Sequence, residues 1–328
     1  MYKKSCIIKD EVTETMENKL VKNGNYYILT NYENNKRVAL RLSETPDMEL
    51  IPEHPELVDI KLTDVCHIGC KWCYQDSTSE SKHGDLETIK TVIQSLNPSV
   101  TEVAFGGGDV LQHPDIVEIL EFSRKRSLTS SNITMNWQSI MRYPDKVQAV
   151  MPLLDAIGVS IVGKGQIKQV VEKLKELNCY ESARICFHVI PDLYNKDLLL
   201  KILDELKRHS PESDILFLGY KTNGRGKNVT PVHVDHMKEI VDYIIKHQLS
   251  LQCDTKFIKD YMDVIEQVSS KLTYDIQEGE YSMNIDCVES FYSQSSYNLA
   301  FKGTITPDFD IVQAFKEVRE YGSLTTIS

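Results

Sequence analysis

Leu57-Val58-Asp59-Ile60-Lys61-Leu62 reads as a short strand, the helical pattern Leu86–Leu96 follows it, and Glu102-Val103-Ala104-Phe105 reads as the next strand. A strand, a helix and a second strand of these lengths make one βα unit of a parallel sheet. The alternation continues outward. Strand-like runs at Asn132–Asn136, Ala156–Ser160, Arg184–Ile190 and Ile215–Leu218 alternate with helical patterns at Ile116–Lys125, Met141–Met151, Ile167–Leu177 and Lys196–His209. His113-Pro114-Asp115 opens the second of these helices, where a proline costs little. Six units make an α/β fold of the open, partial (β/α)6 barrel kind, with ligands expected at the carboxyl edge of the strands.

The flanks differ from this core. Tyr26–Thr30 and Arg37–Leu42 are strand-like and separated by turn-prone residues, which predicts an N-terminal β-hairpin over residues 1–55. Ile51-Pro52-Glu53-His54-Pro55 continues neither strand nor helix and marks a boundary. The barrel core is expected over 56–230 and a small C-terminal α+β extension over 231–328. In that extension Val232–Gln248 reads as a helix and Ser250–Cys253 as a seventh strand. Tyr281–Asp286 with Asn298–Phe301 reads as a small β unit before a closing helix, Asp310–Glu320.

The 328 residues carry 37 Lys and Arg against 48 Asp and Glu, a net charge of −11. That balance offers no general attraction to phosphate backbones and disfavours nucleic acid as a partner. Apolar residues at 41% and charged residues at 26% place the chain among folded globular proteins. No apolar run approaches the roughly 18 residues of a membrane span, and Met1–Glu14 lacks the apolar stretch of a signal peptide, so the expected compartment is the cytoplasm. Eight cysteines in such a chain read as thiols or metal ligands rather than disulfides. Cys66, Cys70 and Cys73 are clustered; Cys6, Cys179, Cys186, Cys253 and Cys287 are scattered.

Cys66-His67-Ile68-Gly69-Cys70-Lys71-Trp72-Cys73 has the spacing C-x3-C-x2-C and follows the first barrel strand. Three thiolates on a tight loop can hold three corners of a cubane 4Fe–4S cluster and leave the fourth iron open to an exogenous ligand. The alternative is a zinc-stabilised binding module, with His67 or His83 as fourth ligand. No second C-x2-C pair follows to complete a zinc site.

This loop, with Trp72 before its last cysteine, resembles the signature loop of the radical S-adenosylmethionine (SAM) enzymes. Phe105-Gly106-Gly107-Gly108-Asp109 resembles that family's Gly-Gly-Glu motif, with Asp in place of Glu, and Leu111-Gln112-His113-Pro114 also fits. Thr134-Met135-Asn136 and Asp155–Ser160 are similar to its third and fourth strands. The resemblance spans about Leu57 to Leu218. It implies a 4Fe–4S cluster on Cys66, Cys70 and Cys73 and SAM held by Trp72, Gly107, Gly108, Asp109, Asn136 and Ser160. Taken alone, Gly-Gly-Gly-Asp is equally a phosphate cradle or a tight turn, and Asn136 and Ser160 are equally capping residues. After Ser160 the chain departs from many relatives, leaving Lys164 and Lys168 as candidates for the SAM carboxylate.

The implied activity is reductive cleavage of SAM to a 5′-deoxyadenosyl radical that takes hydrogen from a peptide or small-molecule substrate. An electron donor such as flavodoxin or ferredoxin is implied as well. A barrel that binds SAM or a nucleotide without catalysis is a third reading. Larger members of the family carry auxiliary clusters. Cys253 and Cys287 are too few to hold one, so a single cluster is expected, with Tyr281–Phe301 as a shortened remnant of the auxiliary region.

The remaining polar residues carry weaker expectations. The basic run Lys221–Lys227 reads as a solvated loop or an anion contact, and His233 with His236 as a surface pair. Cys253, Cys287 and Tyr281 read as buried packing or as hydrogen donors to a substrate radical. Phe291, Tyr292 and Tyr297 read as packing. The terminal β units offer sheet edges to which a peptide can add a strand.

Overall fold

The computed structural model describes residues 18–33, 36–45, 47–232, 236–268 and 278–325; Cys6 and His233 lie outside them. Three strands, β1 (Asn18–Asn23), β2 (Tyr26–Glu33) and β3 (Lys36–Leu42), form a small antiparallel sheet. The expected hairpin is β2 with β3. The added strand, Asn-Lys-Leu-Val-Lys-Asn, carries only one apolar pair and gives little strand signal.

The main sheet has ten strands. They are β4 (Leu57–Thr63), β5 (Glu102–Gly107), β6 (Ser130–Asn136), β7 (Ala156–Ser160), β8 (Arg184–Val189), β9 (Asp214–Phe217), β10 (Leu251–Cys253), β11 (Ser282–Asp286), β12 (Phe291–Ser293) and β13 (Gly303–Thr304). Their order is β10-β9-β8-β7-β6-β5-β4-β11-β12-β13. From β4 to β10 each strand pairs in parallel with the next, and β11 returns to pair in parallel with β4. The C-terminal extension is therefore joined to the barrel sheet at both of its edges.

Two local expectations are corrected. Residues 298–301 are not a strand: the Asn298 N–H donates to the Ser295 hydroxyl and its amide to Gln294, holding a turn between β12 and β13. The helix expected over 141–151 is broken into Trp137–Arg142 and Pro144–Val150, because Pro144 lacks the N–H that a continuous helix requires.

Period-two alternation sorts the strands into two faces. Val58, Ile60, Leu62, Val103, Phe105, Ile133, Met135, Ile157, Val159, Phe187 and Phe217 are buried on the outer face. They pack against helices such as Leu86–Ser95, which buries Ile89, Val92 and Ile93 and is capped by Asp85 accepting from the Thr88 N–H. Helix Lys196–His209 is built alike, with Asn195 as cap and Leu199, Ile202, Leu203 and Leu206 inward. Each such side chain contributes roughly 1.5–3 kcal/mol on burial.

The inner face is polar or small. One layer runs Asn284, Asp59, Ala104, Asn132, Ala156, Arg184, and a layer nearer the carboxyl edge runs Asn136, Ser160, His188, Leu216, Gln252. Closed barrels fill this space with layers of branched apolar side chains, whereas this one leaves a chamber. The N-terminal sheet closes its amino end. Tyr26 and Ile28 pack with Val100 and Tyr281, and Arg41 donates to Glu56 (2.8 Å) and lies over the Tyr281 ring. Glu56, Val100 and Tyr281 all sit just before their strands begin. Tyr281 is thus at the end of the barrel opposite the cysteine loop, which removes it as a hydrogen donor there.

Candidate functional site

The cysteine loop leaves the carboxyl end of β4 and returns on itself. The Cys66 N–H donates to the Thr78 carbonyl (2.8 Å), Asp64 N–H to Lys82 (2.9 Å) and Gly84 N–H to Leu62 (2.8 Å), so the base of the excursion is zipped shut. The Cys73 N–H donates to the Cys70 carbonyl, turning the second half of the motif. A second loop clamps it from outside. Arg225 Nε donates to the Cys70 carbonyl (3.0 Å), its guanidinium reaches Asp76 and the Ser77 carbonyl, and its N–H donates to the Cys73 carbonyl (2.9 Å).

The donor set fits a metal cluster. Burial pushes the Cys66 thiol up, and burial followed by the charges of Cys66 and Cys73 pushes Cys70 up to about 11, against which Arg225 acts. Thiols that penalise one another's ionisation need a cation, which iron supplies. Among the described residues no three His, Cys, Asp or Glu side chains close around a single ion. His67 and His83, the candidates for a fourth zinc ligand, have Nδ1 engaged with Gln112 (2.6 Å) and with the Thr63 hydroxyl (2.8 Å).

The glycine motif ends β5 beside this loop. Gly107 has φ +128°, and a Cβ there would lie 2.2 Å from the Thr63 carbonyl oxygen; one on Gly108 would lie 2.4 Å from that of Val65. The close approach that demands glycine is thus to the protein's own backbone: Gly108 N–H donates to Thr63 (2.7 Å) and Asp109 N–H to Val65 (2.8 Å). Gly106 is the glycine that faces open space.

Asp109 departs from the expectation that it meets an ammonium group. Its side chain is fully buried and accepts from the Leu111 N–H (3.3 Å), the Gln112 amide (3.0 Å) and the Ser139 hydroxyl (2.8 Å). Through Gln112 it holds His67 of the cysteine loop. It is a positioning residue with no carboxylate oxygen open to a ligand.

Residues 60–166, which contain the loop, the glycine motif and the strands through β7, match the family model "Radical SAM superfamily". Over these residues the chain is similar to the radical SAM superfamily. Residues aligned with the "PqqA peptide cyclase" of Gluconobacter oxydans are 30% identical over 26% of this chain and 24% of that one. Those aligned with the "Probable GTP 3',8-cyclase" of Methanococcus maripaludis are 26% identical over 31% of this chain and 35% of that one. The matched segments thus span a quarter to a third of these curated relatives. Among solved structures, Streptococcus suis SuiB superposes with a TM-score of 0.66 at 12% identity, covering 96% of this chain and 90% of SuiB. SuiB bound to the precursor peptide SuiA gives 0.62 at 12% identity, over 82% and 67%. These likenesses share the fold.

The other expected contacts lie on the same carboxyl edge of the barrel. Asn136 and Ser160 are register neighbours at the ends of β6 and β7, half-buried, with Asn136 also capping the following helix by accepting from the Gln138 N–H. Trp72 joins Lys71, Val162, Leu193, Tyr194, Leu198 and Val229 around an apolar cavity of about 390 Å³. Lys164 and Lys168 are exposed and do not line it, and Lys168 is 3.7 Å from Glu172. Cys253 is pushed up to about 12 by burial, and Cys287 is buried in the core; neither reaches the chamber. Tyr292 packs against Phe301 and Phe309, as expected of packing, and His236 pairs with Glu239.

Sequence reading left two parts unplaced. Arg225 sits 155 residues from the cysteine whose carbonyl it holds, and only the basic run around it hinted at a role. Of the two readings of Lys221, a solvated loop or an anion contact, the structure bears out the second, with a carboxylate of the protein itself. It lies 3.9 Å from Asp254, just after β10, and over the rings of Tyr74 and Tyr297.

Proposed function

We propose that the chain is a radical SAM enzyme acting on a peptide or small-molecule substrate in the cytoplasm. The observation that carries this reading is the three-cysteine loop, closed at its base, braced by Gly107 and Gly108 and clamped by Arg225 over an open polar chamber. A 4Fe–4S cluster on Cys66, Cys70 and Cys73, with one iron open to SAM, supplies when bound the electron that yields a 5′-deoxyadenosyl radical. The protein's own part is positional. Trp72 and the apolar cavity beside it suit an adenine ring, Asn136 and Ser160 offer hydrogen bonds to ribose or carboxylate, and the N-terminal sheet keeps bulk water from the chamber's amino end.

A peptide substrate is supported by the names of the Gluconobacter cyclase and of the peptide-bound SuiB, and the Methanococcus cyclase supports a small molecule. Flavodoxin or ferredoxin fits as the electron donor. The barrel core at 56–230 carries the cofactor residues in this reading, with 1–55 and 231–328 enclosing it.

The test is anaerobic reconstitution followed by reduction in the presence of SAM. About four irons per chain and formation of 5′-deoxyadenosine are expected, and both should be lost in Cys70→Ala. A colourless protein holding stoichiometric zinc would instead support the zinc-stabilised module. SAM binding that survives Cys70→Ala, with no cleavage by either form, would support the non-catalytic barrel.

A further inference from the structure

The charged side chains of the chamber are almost all paired. Lys61 lies 2.7 Å from Asp64 and 2.9 Å from Asp286, Arg184 lies 3.5 Å from Asp214, and Lys221 lies 3.9 Å from Asp254. Lys221 also lies over the rings of Tyr74 at 4.6 Å and Tyr297 at 5.2 Å. His188, on the layer nearest the carboxyl edge, is neutral, because burial and then Lys221 pull its imidazole down to about 4.

Asp59 is the exception. No hydrogen bond or ion pair reaches it from any described residue, although it faces the interior of the barrel. Its side chain is exposed yet surrounded by protein, as expected of a group that lines a cavity. Burial pushes its carboxyl up to about 6; Lys221 works against that shift, and Asp254 and Glu102 reinforce it. The chamber therefore holds one anion without a direct partner.

There is also room beside it. The register neighbour of Asp59 on β5 is Ala104, and one layer nearer the cysteine loop stands Gly106, above which a Cβ would meet nothing within 4 Å. The column above Asp59 on β5 is thus lined by the small residues Ala104 and Gly106, and it is open at Gly106. An unbranched chain lying in it would set its tip on Asp59 and its upper carbons beneath the cysteine loop.

We propose that this chamber seats the substrate, and that the substrate places a cationic tip, a primary ammonium or a guanidinium on an unbranched stem, against Asp59. The inference rests on the radical SAM reading for the word substrate, but the recognition itself does not depend on turnover. The chemistry is shared by a lysine or arginine side chain of a peptide and by a free polyamine. A charge-assisted pair in an enclosed site is stronger than one at the surface, and an anionic tip would meet the like charges of Asp59, Asp254 and Glu102.

The experiment is calorimetric titration of the full-length, cluster-reconstituted protein with three probes: N-acetyl-lysine methylamide, its analogue without the ammonium group, N-acetyl-norleucine methylamide, and spermidine. A charged probe is expected to bind at least about tenfold more tightly than the norleucine probe. A preference for the lysine probe identifies a peptide side chain, and a preference for spermidine a free polyamine. Asp59→Asn should erase the preference. Ala104→Leu, which keeps the charge and fills the column, should weaken the charged probes by a similar factor, so the argument does not hang on one variant. Equal binding of all three probes, or a preference unchanged in both variants, would overturn the proposal. Formation of 5′-deoxyadenosine separates the two readings: its absence with the preference intact refutes the radical chemistry alone, and its presence without any preference refutes the chamber proposal alone.

Discussion

Along β5, Val103 and Phe105 are closed off at 0% and 1% exposure, while Glu102, Ala104 and Gly106 between them stand half-open to the chamber. The same contrast holds on β4, where Val58, Ile60 and Leu62 alternate with Asp59 and Lys61, and on β8, where Phe187 and Val189 are buried on either side of the half-open His188. One face of the sheet is the hydrophobic core and the other is a polar container. Because side chains alternate with period two, a shift of one residue would exchange the two, so register is held by the full apolar content of the outer face. The comparison teaches that stability and chemistry are stored on opposite sides of the same backbone, and substitutions can be sorted accordingly.

The sharpest separation is expected between β8 and its neighbour β7. Phe187→Ala should lower unfolding free energy by about 3–5 kcal/mol in chemical denaturation, whereas Ser160→Ala, on the inner face beside it, should change stability by about 0.5 kcal/mol or less. Comparable losses at the two positions would break the two-face description. At the end of β5 the faces meet. Gly107→Ala must accept both a positive φ and the Thr63 carbonyl, and should cost about 1–3 kcal/mol. Iron retention after anaerobic reconstitution should fall with it, since the strain falls on the base of the cysteine loop. Full iron loading with unchanged stability would remove the bracing role of the motif.

The smallest effect concerns the chamber itself. The Asp59 carboxyl, raised from the usual 3.8 to about 6, holds a proton more readily folded than unfolded. Its contribution is therefore most favourable below about pH 4, declines as pH rises from 4 through 6, and is lost above that. Asp59→Asn should remove this slope, making the variant more stable than the wild type by about 1 kcal/mol at pH 7 once screening by water in the chamber is allowed for. The two should converge at pH 4. A variant less stable at pH 7 would mean that Asp59 has a structural partner.

Much of this was legible in the linear chain. The six βα units could be read from Leu57 to Leu218 because each strand carries its apolar residues for the outer face, and the helices carry theirs at helical spacing. The cysteine loop was legible because all three ligands fall within eight residues. The buried bracing of Asp109 was not legible, because its partner Ser139 is 30 residues away and His67, 3.7 Å from its carboxylate and joined to it through Gln112 as well, lies on another loop. The strand pairing of Ser282–Asp286 with β4 could not be anticipated, since nothing local says which edge a returning strand will join.

Local pattern alone settles what lies within one turn or one loop: the alternation of elements, the caps, and the grouping of thiols, since these depend on neighbours a few bonds apart. Whether an acid is a ligand-binding group or a buried brace, as for Asp109, and whether another is left unpaired inside a chamber, as for Asp59, depends on donors brought from distant strands. Burial and the partners it supplies decide the free energy of a charge, and only the folded chain determines both.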